Sequence, residues 1–497
     1  MTLTRIACAA LLLSAACGAQ AADPVYPKTA EEWRAAATRD IEEGYRLAVE
    51  NHPGVHDVNN PDFTRHLQAA RDGSLKLAQE VSNAAGYNAA LLRFNVLVRD
   101  GHAGMAVRID SQLKPERWPG FVAVWRGDGM YVYASEQGGP AAGTKILSCD
   151  GKPMDALMRD NLFSFRGRVE EPGQWWSMSR WLFADLDNPY VKLPQRCDFL
   201  SGGKRSTQAL AWRERNDNFV KWRNEAYNGD RLPVGLTEPR KNLFWVAMPS
   251  FSPNAEERAA YQAMNEQVLA NRARYLAADA VVIDLRHNQG GSSTWSRNFA
   301  SALWGEGRVE RRLTAYFART QTWYRVSPGN TDHFGAIAER MVAEKQPETE
   351  KWARNIHAHM LEAQQRGDKF WVKKEDDVVV AADPKADLPG DPPPFTKSVY
   401  VIVPGQCASA CLDALDVFTQ FPNTKLIGAP SSADSTYMEV RLQKLESGMA
   451  YAILPTKYYL NRPRGNGVAY KPAFEVREAD WSTPTFLKAV ERDLARK

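Results

Sequence analysis

Cys407-Ala-Ser409-Ala-Cys411 sets a serine between an apolar strand and a helical pattern. Residues 398–403 (Ser-Val-Tyr-Val-Ile-Val) read as a buried strand, Pro404-Gly405 breaks it, and Ala408 to Phe418 carries apolar residues at helical spacing. A serine at such an elbow lies beside the free N–H groups of a helix N-terminus, and those donors can stabilise an oxyanion. That is the setting of a nucleophile, and it points to hydrolysis. The same residues also read as a plain helix N-cap. Gly290-Gly291, at the end of a second apolar strand, adds a place where backbone donors approach closely because no Cβ intervenes; alone it reads equally as a turn. Arg462 and Arg464 are candidates for binding a substrate carboxylate bidentately, with two solvated loop arginines as the plain alternative.

The elements that must position these residues lie in a chain of 497 residues with a formal charge of +4. Arg5, the apolar run Ile6 to Ala16 and Ala19-Gln20-Ala21 form a signal peptide over 1–21, cleaved near Ala22. Cys17 offers a lipoprotein alternative, although Ser14 stands where a leucine is usual. The mature protein is expected in the periplasm or secreted, with no integral membrane segment. Export makes Cys149, Cys197, Cys407 and Cys411 disulfide candidates; Cys149–Cys197 with Cys407–Cys411 is the simplest of three pairings. An i, i+4 bridge needs a local distortion at the helix start. No spacing suggests zinc, so no metal or organic cofactor is expected. No basic run argues for nucleic acid.

Residues 22–110 read as a helical region, opened by the capping-box pattern Thr29-Ala-Glu-Glu32. Residues 111–205 are β-rich, with a hairpin around Gly127-Asp-Gly129 and a tight Asp150-Gly151 turn. Residues 206–240 read as a connecting segment. An α/β rhythm then runs over 241–482: strands at 242–248, 280–286, 398–403, 424–428 and 450–454, with a helix from Glu256 to Leu276. A charged insert over 305–396 reads as a lid or substrate-facing subdomain. Residues 483–497 form a C-terminal helix.

Four segments in order, Asp100-Gly101-His102, Val281 to Gly291 (VVIDLRHNQGG), Cys407 to Cys411 and Leu426 to Asp434 (LIGAPSSAD), resemble the S41 peptidases, the tail-specific or C-terminal-processing proteases and their tricorn-like relatives. Glu50-Asn-His-Pro-Gly and the turn at 150–153 extend the likeness weakly. The resemblance implies a crotonase-like (ClpP/crotonase) α/β catalytic core, an N-terminal helical region and a PDZ-like β-rich domain. It makes Ser409 the nucleophile, with an oxyanion hole from the N–H of Ala410 and of Gly290 or Gly291. The lysine base of the processing proteases falls on Asp434, so a Ser/Lys dyad is not carried over. The histidine of the tricorn-like branch falls on His102, a side chain suited to taking a serine proton near neutral pH; His287 is the rival. A glutamate expected three residues before Gly467 is replaced by Arg464, leaving Asp434 and Glu439 as candidates for the orienting acid. Asp413, one turn after Ser409, reads as a cap or a brace for the elbow.

The function implied is an exported serine peptidase acting on peptides or polypeptides. Two alternatives stand beside it: an inactive S41-fold binding protein, and a hydrolase of non-peptide esters or amides.

Overall fold

The computed structural model describes residues 25–110, 113, 116–374 and 380–496; the signal-peptide reading lies outside the described residues. A six-stranded sheet forms the centre, in the order Gly235–Arg240, Leu243–Ala247, Ala280–Asp284, Ser398–Val403, Thr424–Gly428 and Phe474–Glu475. Its inner strands pair in parallel. Every residue of Leu243–Ala247, Ala280–Asp284 and Ser398–Val403 is buried, because helices cover both faces. One face packs on the helices Ala255–Ala270, Thr294–Trp304 and Ala410–Phe418. The other packs on Trp176, Trp481 and the C-terminal helix Thr483–Leu494.

The strand read at 450–454 does not join that set. It belongs to Ala450–Leu460, in an antiparallel sheet with Gly104–Val107, Gln321–Arg325, Phe370–Val372 and Tyr437–Lys444. Its burial alternates over 450–454, as expected of a strand covered on one face. The N-terminal helices Ala30–Asn51, Phe63–Ala78 and Ala84–Leu97 supply the cover: Trp33, Leu67 and Phe94 share one core with Tyr437, Ala452, Leu454 and Tyr458. Thr29 and Glu32 form the expected capping box on the first of these helices. The 305–396 insert is not wholly separate, since it donates two strands to this sheet. It also forms a helical hairpin, Pro328–Ala343 against Pro347–Gln365, with its own small core.

A third sheet runs Phe121–Trp125, Met130–Ser135, Lys145–Cys149, Arg196–Ser201 and Lys204–Ala209. Cys149 and Cys197 are direct cross-strand partners joined by a disulfide. The connecting segment read over 206–240 is more structured than its composition suggested. It ends this sheet, forms the helix Asp217–Asn228 and supplies the edge strand Gly235–Arg240 of the central sheet. The strand Lys204–Ala209 is almost wholly exposed, so no apolar alternation marked it. No helix among the described residues is long and apolar enough to cross a membrane.

The third sheet is keyed to the centre by the short helix Pro172–Met178. A Cβ on Gly173 would lie 2.4 Å from Ser431 O and 2.5 Å from Gly405 O. Both are backbone atoms, so relief requires the two parts to separate. Gly173→Ala is expected to lose about 1–3 kcal/mol of stability, read from denaturant titration.

Candidate active site

The elbow departs from an ordinary helix start at Ser409. Its backbone has φ 54 and ψ −128, where an N-cap residue is normally extended, and its side chain makes no capping hydrogen bond. A non-glycine residue in this region is costly and persists only where its surroundings impose it. Here the Ser409 N–H donates to Asp434 Oδ2 at 2.5 Å. Cys407 and Cys411 are joined across the same turn, with Cα atoms 5.2 Å apart; the kink at Ser409 is the distortion that an i, i+4 bridge needs. The Ala410 N–H, first in the helix, has no acceptor among the described residues.

Gly290 closes against the elbow. A Cβ there would sit 2.9 Å from Ser409 Cβ and 3.1 Å from Ala410 N. Its φ of 103 also favours glycine. The two glycines differ in their donors. Gly290 N–H donates to Asn288 Oδ1 at 2.9 Å, and Asn288 is itself anchored on Met248 O. Gly291 N–H has no acceptor among the described residues.

Asp434 is followed by the residue that reaches the histidine turn. Ser435 Oγ donates to Asp100 Oδ1 at 2.7 Å, and the same oxygen accepts the backbone N–H of His102 at 2.9 Å. Ser409 and His102 are therefore tied to adjacent residues of one loop. No hydrogen bond joins the His102 ring to Ser409 Oγ among the described residues, and His102 Nδ1 is buried with no partner. Asp434 stands on the elbow's backbone and not on this ring.

Asp100 is 3% exposed. Burial alone would raise its pKa. The hydrogen bond and charge of His52, the charge of His102 and the His102 N–H outweigh that and hold it at about 2. The loop before Asp434 is fixed from the third sheet's side. Arg168 Nη2 donates to Ala433 O at 2.8 Å, and Glu171 Oε2 accepts from Ser432 Oγ at 2.9 Å and Ala433 N at 3.1 Å. Arg168 and Glu171 are ion-paired. Burial would lower the Arg168 pKa, but Glu171, Asp100 and Asp434 raise it.

The remaining expected residues lie elsewhere. Arg462 and Arg464 are buried, with side chains 5% and 3% exposed. They are not turned to a substrate: both pair with Asp413 and Asp416 on the helix that follows Ser409. Burial would raise the Asp413 pKa, yet Arg462, Arg464 and the Ser293 hydroxyl lower it. Of the two readings its spacing offered, cap or brace, Asp413 pairs as a brace. Glu439 pairs with Lys457 at 2.6 Å, on a strand of the antiparallel sheet. His287 Nε2 lies 3.1 Å from Gly229 O and its ring edges onto Tyr227, both in the segment before the central sheet; burial lowers its pKa. Sequence reasoning gave no role to His52, Arg168, Glu171 or Ser435. Only His52 stood in a segment noted for its likeness, Glu50-Asn-His-Pro-Gly.

Residues 243–469 match the model of peptidase family S41. That span holds Ser409, the glycine pair and Asp434, and leaves out His102. The match covers a little under half of the chain, and over that span the chain is similar to the serine-type peptidases of family S41. No curated protein matches it in sequence. Among solved structures, mature CPAF shares its overall fold at 12% identity and TM-score 0.59, over 93% of this chain and 98% of that one. Mature CPAF complexed with lactacystin does so at 13% identity and TM-score 0.59, over 93% and 99%.

Two measurements check the geometry. Asp100 has a lowered folded pKa, so its contribution to stability is full above the unfolded value near about 4 and is lost as pH falls towards about 2. Its size is on the order of 2 kcal/mol. Acid unfolding of wild type should show that loss, and Asp100→Asn should lack it. For the disulfides, chain entropy predicts about 4 kcal/mol for Cys149–Cys197 and about 2 kcal/mol for the short Cys407–Cys411 loop. Paired Cys→Ala variants in denaturant should fall in that order.

Proposed function

We propose that the chain is an exported serine peptidase in which Ser409 Oγ attacks a peptide carbonyl. The observation that carries this reading is the elbow: a serine held at φ 54, its hydroxyl not used for capping, beside the unbonded N–H of Ala410. His102 takes the Ser409 proton and returns it to the departing amine, leaving an acyl-enzyme. Water then attacks the ester, its proton passes through His102 back to Ser409 Oγ, and the new carboxylate leaves. Ala410 and Gly291 supply the oxyanion donors, since Gly290 already donates to Asn288. Gly290 is the residue that lets the Gly-Gly turn approach Ser409.

In this reading the central parallel sheet is a crotonase-like core. The β-rich 111–205 region is PDZ-like and captures an extended chain end by strand addition. The match of residues 243–469 to peptidase family S41 supports peptides as the substrate class. A second reading, a binding protein on a retired peptidase site, draws on the buried His102 Nδ1 with no acceptor.

A fluorophosphonate probe separates the two. Wild type should be labelled and Ser409→Ala should not. His102→Ala should label roughly 10²–10⁴ times more slowly. A folded wild type that takes no label overturns the peptidase reading. Labelling without cleavage of any peptide library assigns the site to another ester or amide.

A further inference from the structure

We propose that Asp100, held by His52, supplies the negative charge that an acid facing His102 Nδ1 would otherwise supply, which makes His52 and Asp100 positioning residues for the base. This rests on the reading of His102 as the base.

His52 follows the helix Ala30–Asn51 and is 0% exposed. Its ring stacks on Phe63 at 4.1 Å between centroids and meets Tyr437 edge-on at 4.8 Å. The Gly54 N–H donates to His52 Nδ1 at 2.9 Å. A ring nitrogen that accepts carries no proton, so in the neutral ring the hydrogen is on Nε2. Nε2 lies 2.9 Å from Asp100 Oδ2 and donates to it. Burial keeps the ring neutral despite the carboxylate's opposing pull. Gly54 is part of the device: a Cβ there would lie 2.7 Å from the Phe63 ring and 2.9 Å from His52 Nδ1.

Both Asp100 oxygens are therefore engaged, Oδ2 by His52 and Oδ1 by Ser435 and the His102 backbone. A buried carboxylate holding three donors stays ionised, and inside the protein its charge is weakly screened. When His102 takes the Ser409 proton, the imidazolium forms beside that charge. Stabilising it is the role of the aspartate in a serine triad. No proton leaves His52 or Asp100; the proton moves only between Ser409, His102 and the leaving group. The other ionisable groups around Asp100 are Arg168, from the side of the third sheet, and Tyr437, whose hydroxyl donates to Asp57.

Peptide turnover and fluorophosphonate labelling across pH, with a fold check by circular dichroism, test this on the full chain. Asp100→Asn is near-isosteric and removes the charge. It should lower kcat roughly 10²-fold with KM little changed. It should also move the acid limb of the rate down by about one pH unit, because the lost anion no longer favours protonated His102. A purely structural role would lower the rate and leave the limb in place. His52→Phe keeps the stacking and loses the donor, so labelling should slow by at least about tenfold. His52→Gln, which restores an N–H near the Nε2 position, should recover most of that rate. An unmoved acid limb in folded Asp100→Asn overturns the proposal, as does a Gln variant no better than Phe. If His52→Phe does not fold, the Asp100→Asn limb decides alone. Should wild type fail to label, or His102→Ala label at the wild-type rate, the base reading falls instead.

Discussion

Four consecutive residues of one loop bond to three different parts of the chain. Ser432 meets Glu171, Ala433 meets Arg168 and Glu171, Asp434 meets the Ser409 N–H, and Ser435 meets Asp100. The strand Thr424–Gly428 of the central sheet leads into this loop, the third sheet's side fixes it, and the histidine turn after the N-terminal helices hangs on it. The bond from Ser409 N–H to Asp434 matters most, because it helps hold a backbone conformation that a serine does not adopt freely. A loop that was merely close-packed could shift; this one cannot shift without breaking the bonds of Ser432, Ala433, Asp434 and Ser435 and leaving buried polar groups unmet.

Charge is handled by pairing at each level around it. Asp413 and Asp416 lie on the elbow helix, and Arg462 and Arg464 hold them from the segment that leaves the antiparallel sheet. Tyr470 adds a hydroxyl to Asp416 at 2.6 Å. Removing one partner of such a cluster leaves the others buried and uncompensated, which costs more than the pairing contributes. These arginines thus steady the helix that begins at Ala410, the residue after Ser409.

Much of the central sheet could be read from the chain, because strands buried on both faces announce themselves as apolar runs such as Ala280–Asp284 and Ser398–Val403. The elbow was legible for the same reason: a strand, a Pro-Gly break and a helical period leave little choice for what lies between. Ala450–Leu460 went to the wrong sheet, since an apolar stretch does not reveal which surface covers it. Arg462 and Arg464 looked like substrate ligands because their partners, Asp413 and Asp416, lie nearly fifty residues away and share no local pattern with them. His52, Arg168 and Glu171 carried no signal of their own. Their contacts are tertiary, and a lone histidine or an Arg-x-x-Glu pair occurs in any soluble chain.

The shared core of the first helices and the last strands bears on how the molecule comes into being. Asp40 accepts from Ser447, 407 residues away, and Asp100 accepts from Ser435, 335 residues away. Contacts of such separation close late and slowly. A chain emerging from the ribosome can form the first helices early, but the sheet surface they need is among the last to be made. Until then the histidine turn has no seat and the serine loop no clasp. A chain that ends before Ser432 therefore carries His102 and Ser409 without the loop that ties them together.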